Sequence, residues 1–157
     1  MINSKIHPLV LSAVLLLFTL GFAPVHAPDI TGSWRMTAHR ISPAKDGITD
    51  LYGHFKDLYG GCQKDMGVTL NTDKTVSITP AGGCQNPLGN MLMKAVAKFM
   101  PSGNVSWEVN ADKIILQDKK GQRREYTLQQ SGSDMQWLFD EGDGQSTVHH
   151  TIEFKRN

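Results

Sequence analysis

Six histidines and one cysteine pair are the residues of this chain whose chemistry goes beyond packing, so the first question is whether any of them can act together. His7 and His26 fall in the N-terminal stretch, and His39 and His54 have no paired ligand at useful spacing. His149 and His150 are neighbours on a strand, so they point to opposite faces and cannot both reach one ion. No metal site is expected. His150 falls between Val148 and Ile152 on an apolar face, where a hydrogen-bonded interior histidine is the ordinary outcome; it would place one polar group inside the fold. Asp140-Glu141-Gly142-Asp143-Gly144 lacks the alternating oxygen ligands and terminal glutamate of a calcium loop and reads as a solvated hairpin turn. Lys119, Lys120, Arg123 and Arg124 surround another turn and read as a solvated face. The chain has no G-x-S-x-G elbow and no phosphate-binding loop, and its cysteines are taken up as described next. Neither a catalytic residue nor a cofactor is therefore expected.

The two cysteines are Cys62 and Cys84, and between them lie two alternating runs around an Asn71-Thr72-Asp73-Lys74 turn. If that hairpin pairs symmetrically about position 73, Leu70 faces Val76, Val68 faces Ile78 and Cys62 faces Cys84. A cross-strand disulfide is the expectation, contributing roughly 3 kcal/mol in the chain-entropy model. An oxidising compartment favours it.

Export is expected from the N-terminus. Lys5 supplies one positive charge, and residues 9–22 form an apolar run too short for a comfortable membrane span. Val25-His26-Ala27 has the small-x-small form of a cleavage site, with Pro28 directly after the cut. Residues 1–27 are thus read as a signal peptide whose cleavage site Pro28 makes uncertain, a retained anchor being the alternative. Residues 28–157 are read as one domain, periplasmic or secreted. No cysteine lies near the cut to take a lipid. The mature domain carries no electrostatic case for a nucleic-acid partner either, since 16 basic residues face 15 acidic ones in a 157-residue chain of net charge +1.

The elements that would position these residues are mostly strands. A first strand spans about 30–41, with Trp34 and Met36 on one face, and Ser42-Pro43-Ala44-Lys45-Asp46-Gly47 breaks it. Residues 49–59 carry apolar positions at helical spacing, with Thr49 as N-cap and Gly53 as a weakening residue; a strand is the competing reading. Leu88, Met91, Leu92, Ala95, Val96 and Phe99 make a helical apolar stripe between Pro87 and Pro101. From Val105 onward a meander follows, ending in a strand with Val148, His150, Ile152 and Phe154 on one face.

With Gly32-x-Trp34 opening the first strand, Ser106-Trp107 opening a later one and Lys155-Arg156 ending the last, residues 29–156 resemble the bacterial lipocalin-like domain family. The resemblance implies a barrel whose first-strand tryptophan packs across the base under a basic residue of the last strand. Here Trp34 would be that plug and Arg156, or Lys155, its cation–π partner, with Gly32 beside them. The chain departs from ordinary lipocalins in placing its best helix before Trp107, and from many relatives in lacking an anchor cysteine. The fold class is mainly β: an antiparallel up-and-down lipocalin-like barrel of about seven or eight strands, with one amphipathic helix inserted before the second half.

The leading functional expectation is a non-catalytic binding protein that holds a small apolar or amphipathic molecule. Met36, Tyr126, Leu128, Met135, Trp137, Phe139 and His150 would line the cavity, with Tyr52 and Phe55 on a lid. The alternative is an interaction protein with a side-chain-filled core, resembling bacterial inhibitors of secreted metalloproteases, in which Pro28-Asp29-Ile30 would enter a protease cleft. An enzyme is the third reading and would need His150 to act with Tyr126 or Arg124.

Overall fold

Alternation sets the facing of each strand. In β5 (Val105–Asn110) Val105 and Trp107 are buried while Ser106 and Glu108 are exposed, and in β7 (Arg123–Ser131) Tyr126 and Leu128 are buried on one face. The computed structural model describes residues 28–55, 66–79, 99, 104–142 and 146–157. Among these, the remaining strands are β1 (Gly32–Lys45), β2 (Ile48–Asp50), β3 (Gly67–Leu70), β4 (Thr75–Thr79), β6 (Lys113–Asp118), β8 (Asp134–Gly142) and β9 (Thr147–Arg156), with one short helix, α1 (Leu51–Phe55).

Every strand pairs antiparallel with its neighbour in the order β2-β1-β3-β4-β5-β6-β7-β8-β9, and β1 also pairs with β9. Eight strands thus close into an up-and-down barrel, and closure removes the open sheet edges that would invite aggregation. β2 is an extra strand folded back on β1. The end where β1 begins and β9 finishes is the base; the opposite end is the upper end.

Both ends of β1 are instructive. At the base, Trp34 is 1% exposed and donates its indole N–H to the Ile30 carbonyl at 2.8 Å. The Arg156 guanidinium lies 4.5 Å over the ring and donates to the Asp29 carbonyl at 2.9 Å. The contact implied for Trp34 and Arg156 is therefore present, and it also ties down the residues preceding β1. Gly67 of β3 lets this corner close, because a Cβ there would collide with the Trp34 carbonyl oxygen. At the upper end the strand does not break at Ser42. It runs on to Lys45, and the turn shrinks to Asp46-Gly47, both at positive φ (53° and 79°), with Lys45 opposite Ile48. Asp-Gly is the pair that a two-residue hairpin of this twist prefers, so the wider turn expected over 42–47 is corrected to two residues.

Midway, β1 carries a bulge. Met36 pairs with Phe154, but the next pair is Ala38 with Glu153, so β1 holds one extra residue. The inward face therefore shifts from Trp34 and Met36 to His39 and Ile41. Asp50 serves the irregular backbone: one carboxylate oxygen accepts the His39 N–H at 3.1 Å and the Gly53 N–H at 3.0 Å. Asp50, not Thr49, is thus the N-cap of α1. Gly53, expected only to weaken a helix, leaves room for that cap, since a Cβ would meet the Asp50 carboxylate at 2.6 Å.

The β3–β4 hairpin pairs Leu70 with Val76 and Val68 with Ile78, the register expected from its midpoint. Cys62, Cys84 and the disulfide read between them lie outside the described residues. So do the signal segment 1–27, the rest of the segment 49–59 beyond α1, and the stripe 88–99 apart from Phe99. Asp140 and Glu141, read as part of a turn, belong to β8 and pair with His149 and Val148.

Inside, Trp34, Trp137, Tyr126, Phe154, Met135 and Leu128 belong to one continuous cluster. Each such side chain contributes about 1.5–3 kcal/mol through burial.

Candidate functional site

The barrel is not evenly zipped. β6 and β7 pair from Lys113–Thr127 to Gln117–Arg123, and β8 and β9 pair from Asp134–Lys155 to Gly142–Thr147. Between β7 and β8, however, the ladder runs only from Ser131–Asp134 to Thr127–Leu138. Above that point each strand keeps its outer neighbour and parts from the other. The gap holds a cleft of about 290 Å³ lined by Phe99, Arg123, Arg124, Glu125, Tyr126, Phe139, Asp140 and Glu141. A second depression of about 270 Å³ follows the same seam, lined by Lys113, Thr127 and Leu138 among others.

Alternation sorts the cleft residues by role. Arg124 shares the face of buried Tyr126, and Glu141 shares the face of Phe139, so these two charges sit on the inward side of the rim. Arg123 and Glu125 point the other way and pair with each other at 2.9 Å; Glu125 also meets Lys113 at 3.4 Å. Asp140 likewise faces outward, where it contacts His149 at 2.7 Å.

The cleft opens onto an aromatic and imidazole cluster. The Phe139 ring stacks on His150 with centroids 4.5 Å apart and planes at 11°. Phe99 lies 5.1 Å from His150 and meets His39 edge-on at 5.3 Å. Tyr126 meets Phe139 edge-on at 5.5 Å and donates its hydroxyl to the Phe99 carbonyl. Within this box His39 Nε2 and His150 Nδ1 form a hydrogen bond of 2.9 Å, with His39 8% and His150 4% exposed.

Electrostatics follow from burial. Desolvation lowers the His39 pKa to about 4, the nearby His150 adds to this, and the Asp50 carboxylate opposes it. His150 is also lowered by burial, with Glu141 and Asp140 pulling the other way. Both rings are neutral at neutral pH. Glu141 Oε2 stands 3.4 Å from His150 Nε2, close enough for attraction but not aligned as a hydrogen bond, and Nε2 has no other partner among the described residues. A carboxylate beside Nε2 favours a proton there, so His39 donates to His150. Burial also holds the Tyr126 phenol above its ordinary value, with Arg124 opposing. The indole N–H of Trp137, one layer below, is buried and lacks an acceptor among the described residues.

Of the residues expected to line a cavity, the structure gathers Tyr126, Phe139 and His150 at this cleft. Met36, Leu128, Met135 and Trp137 lie deeper and fill the barrel by packing together. Tyr52 packs against the core, and the Phe55 side chain lies outside the described residues. Gly32, Trp34 and Arg156 occupy the base. His39, Phe99 and Glu141 were not anticipated. Sequence spacing gives His39 no partner, but β1 and β9 bring His150 to it from across the sheet. Tyr126 and Arg124, the helpers required by a catalytic His150, do not hydrogen-bond to it; its ring contacts are His39, Phe99 and Phe139, with Glu141 at its far nitrogen. Among the described residues, no group of three or more histidines, cysteines or carboxylates is arranged to hold a metal ion.

Compared with known proteins, the chain matches no family model, and neither a curated protein nor a solved structure is significantly similar to it.

Proposed function

We propose that this chain is an exported, non-catalytic binding protein of the lipocalin-like kind, holding a small apolar or amphipathic molecule at the upper end of its barrel. The observation that supports this reading is the parted β7–β8 seam, a cleft of about 290 Å³ whose inner wall is aromatic. That volume is near the lower end of the range for small-molecule sites, about 300 Å³ upward. It suits a ligand of one or two rings. Affinity would come chiefly from burying the ligand on Phe99, Tyr126 and Phe139, at about 25 cal/mol per Å².

The packed lower barrel favours a second reading, an interaction protein such as a protease inhibitor with a filled core. Against the version in which Asp29-Ile30 enters a protease cleft, Ile30 is 1% exposed and the Asp29 carbonyl is held by Arg156. Both contacts would have to break first.

A fluorescent naphthylamine dye tests the binding reading. The protein is expected to enhance its emission, Phe139→Ala to weaken binding by about tenfold, and Val109→Ala, which trims a partly buried apolar side chain packed against the core on β5, to leave it unchanged. Circular dichroism checks that both variants are folded. Equal affinities for the two folded variants would overturn the assignment of the cleft.

A further inference from the structure

The rim of the cleft carries opposite charges on its two sides. On β7 Arg124 is exposed, lies on the inward face and has no ion-pair partner among the described residues; the carboxylate next to it in the chain, Glu125, points to the other face, where Arg123 and Lys113 engage it. On β8 Glu141 is likewise on the inward face and 60% exposed. Behind it stands the buried His150 ring, whose Nε2 is without a hydrogen bond and 3.4 Å from the carboxylate. The two rim charges do not approach within ion-pair distance of each other among the described contacts, although they line the same cleft. A cation and an anion are thus held apart over an aromatic floor, with the neutral His150 ring behind the anion.

From this arrangement we propose that the cleft is built for a small aromatic zwitterion: a molecule with one or two rings, an acid group and an ammonium group. The rings would lie against Phe99, Tyr126 and Phe139. The acid would pair with Arg124, whose planar guanidinium suits a carboxylate in a bidentate geometry. The ammonium would pair with Glu141. A simple aromatic acid satisfies Arg124 but is repelled by Glu141, and a simple aromatic amine meets the reverse conflict, so the pair of rim charges discriminates as well as attracts. The His150 imidazole stands behind the Glu141 carboxylate and is itself fixed by the His39 hydrogen bond and the Phe139 stack. The proposal rests on the binding reading given above and names the ligand class for that site.

The test compares four probes by isothermal titration or dye displacement: L-tryptophan as zwitterion, indole-3-acetate as acid, tryptamine as amine, and the uncharged naphthylamine dye. Wild type is expected to bind L-tryptophan at least about tenfold more tightly than indole-3-acetate or tryptamine. Arg124→Met should abolish the advantage of the zwitterion over the amine, and Glu141→Gln its advantage over the acid. Both residues are exposed, and circular dichroism checks that both variants are folded. Dye binding with no preference among the three indoles would overturn the zwitterion proposal and leave the binding reading intact. Failure of all four probes would overturn both.

Discussion

Replacing Trp34 by alanine is expected to lower the unfolding free energy by about 3–5 kcal/mol, the range for deleting a fully buried large aromatic side chain. The ring is 1% exposed and supports three things at once. It fills the base of the barrel, it carries the Arg156 guanidinium at 4.5 Å, and its N–H satisfies the Ile30 carbonyl. Since a domain of this size is stable by only about 5–15 kcal/mol in total, the variant would lose a large fraction of its stability. Urea unfolding reads this directly. Trp34→Phe keeps a ring under Arg156 but not the indole N–H, so it should lose less than the alanine variant. If Trp34→Ala lost under 1 kcal/mol, closure of the base would have to come from elsewhere.

The second large effect is one of pH. Burial holds His39 neutral with a pKa of about 4 in the folded chain, whereas an unfolded histidine titrates at about 6.5. Between these values the unfolded chain takes up a proton that the folded chain refuses. The associated stability is fully present above pH 6.5, falls as the pH drops, and is exhausted near pH 4. The difference amounts to about 3 kcal/mol, of which about 2 kcal/mol is gone by pH 5. His150, also lowered, acts in the same sense. The charged groups facing the pair are Asp50 at the end of β2 and, through His150, Glu141 and Asp140 on β8; all favour protonation and reduce the effect without reversing it. Urea midpoints measured from pH 7.5 to 4.5 should fall steeply in the wild type and distinctly less in His39→Leu. Parallel slopes in the two proteins would remove His39 from the explanation.

Much of this architecture could be read from the chain because it depends on local alternation. The β3–β4 register follows from two apolar runs placed symmetrically about one turn, and the inward faces of β5, β7, β8 and β9 follow from period two. The contact between Trp34 and Arg156 was expected from a resemblance and from no pattern in the residues themselves. What alternation cannot supply is a change of phase. Counting in twos from Trp34 and Met36 sends His39 outward, and only the extra residue opposite Phe154 and Glu153 turns it in, a feature decided by β9, more than a hundred positions away. The parted seam was equally hidden. Arg123–Tyr126 and Phe139–Gly142 have ordinary strand sequences and remain strands, each paired on its outer side, so nothing local marks where they separate. Phe99 ends a helical apolar stripe whose partner the sequence does not name, and its ring meets both histidines. The cleft and the cluster beneath it are thus made of three long-range events, and the residue pattern reaches only Tyr126, Phe139 and His150 as lining and Arg124 as a possible helper of His150. The same limit applies to the barrel interior. Met36, Leu128, Met135 and Trp137 do face inward as expected, but whether inward-facing side chains enclose a space or fill it depends on the diameter and stagger of the closed barrel.

Whether the β7–β8 cleft holds a small molecule is read by native mass spectrometry of the protein purified from an exporting host, repeated after denaturation and organic extraction. Extra mass is expected on the native protein, or mass taken up from a metabolite extract, that is released on denaturation and falls sharply in Phe139→Ala. A protein that stays bare under all these conditions, with its fold intact, would contradict the claim that the β7–β8 cleft is a binding site.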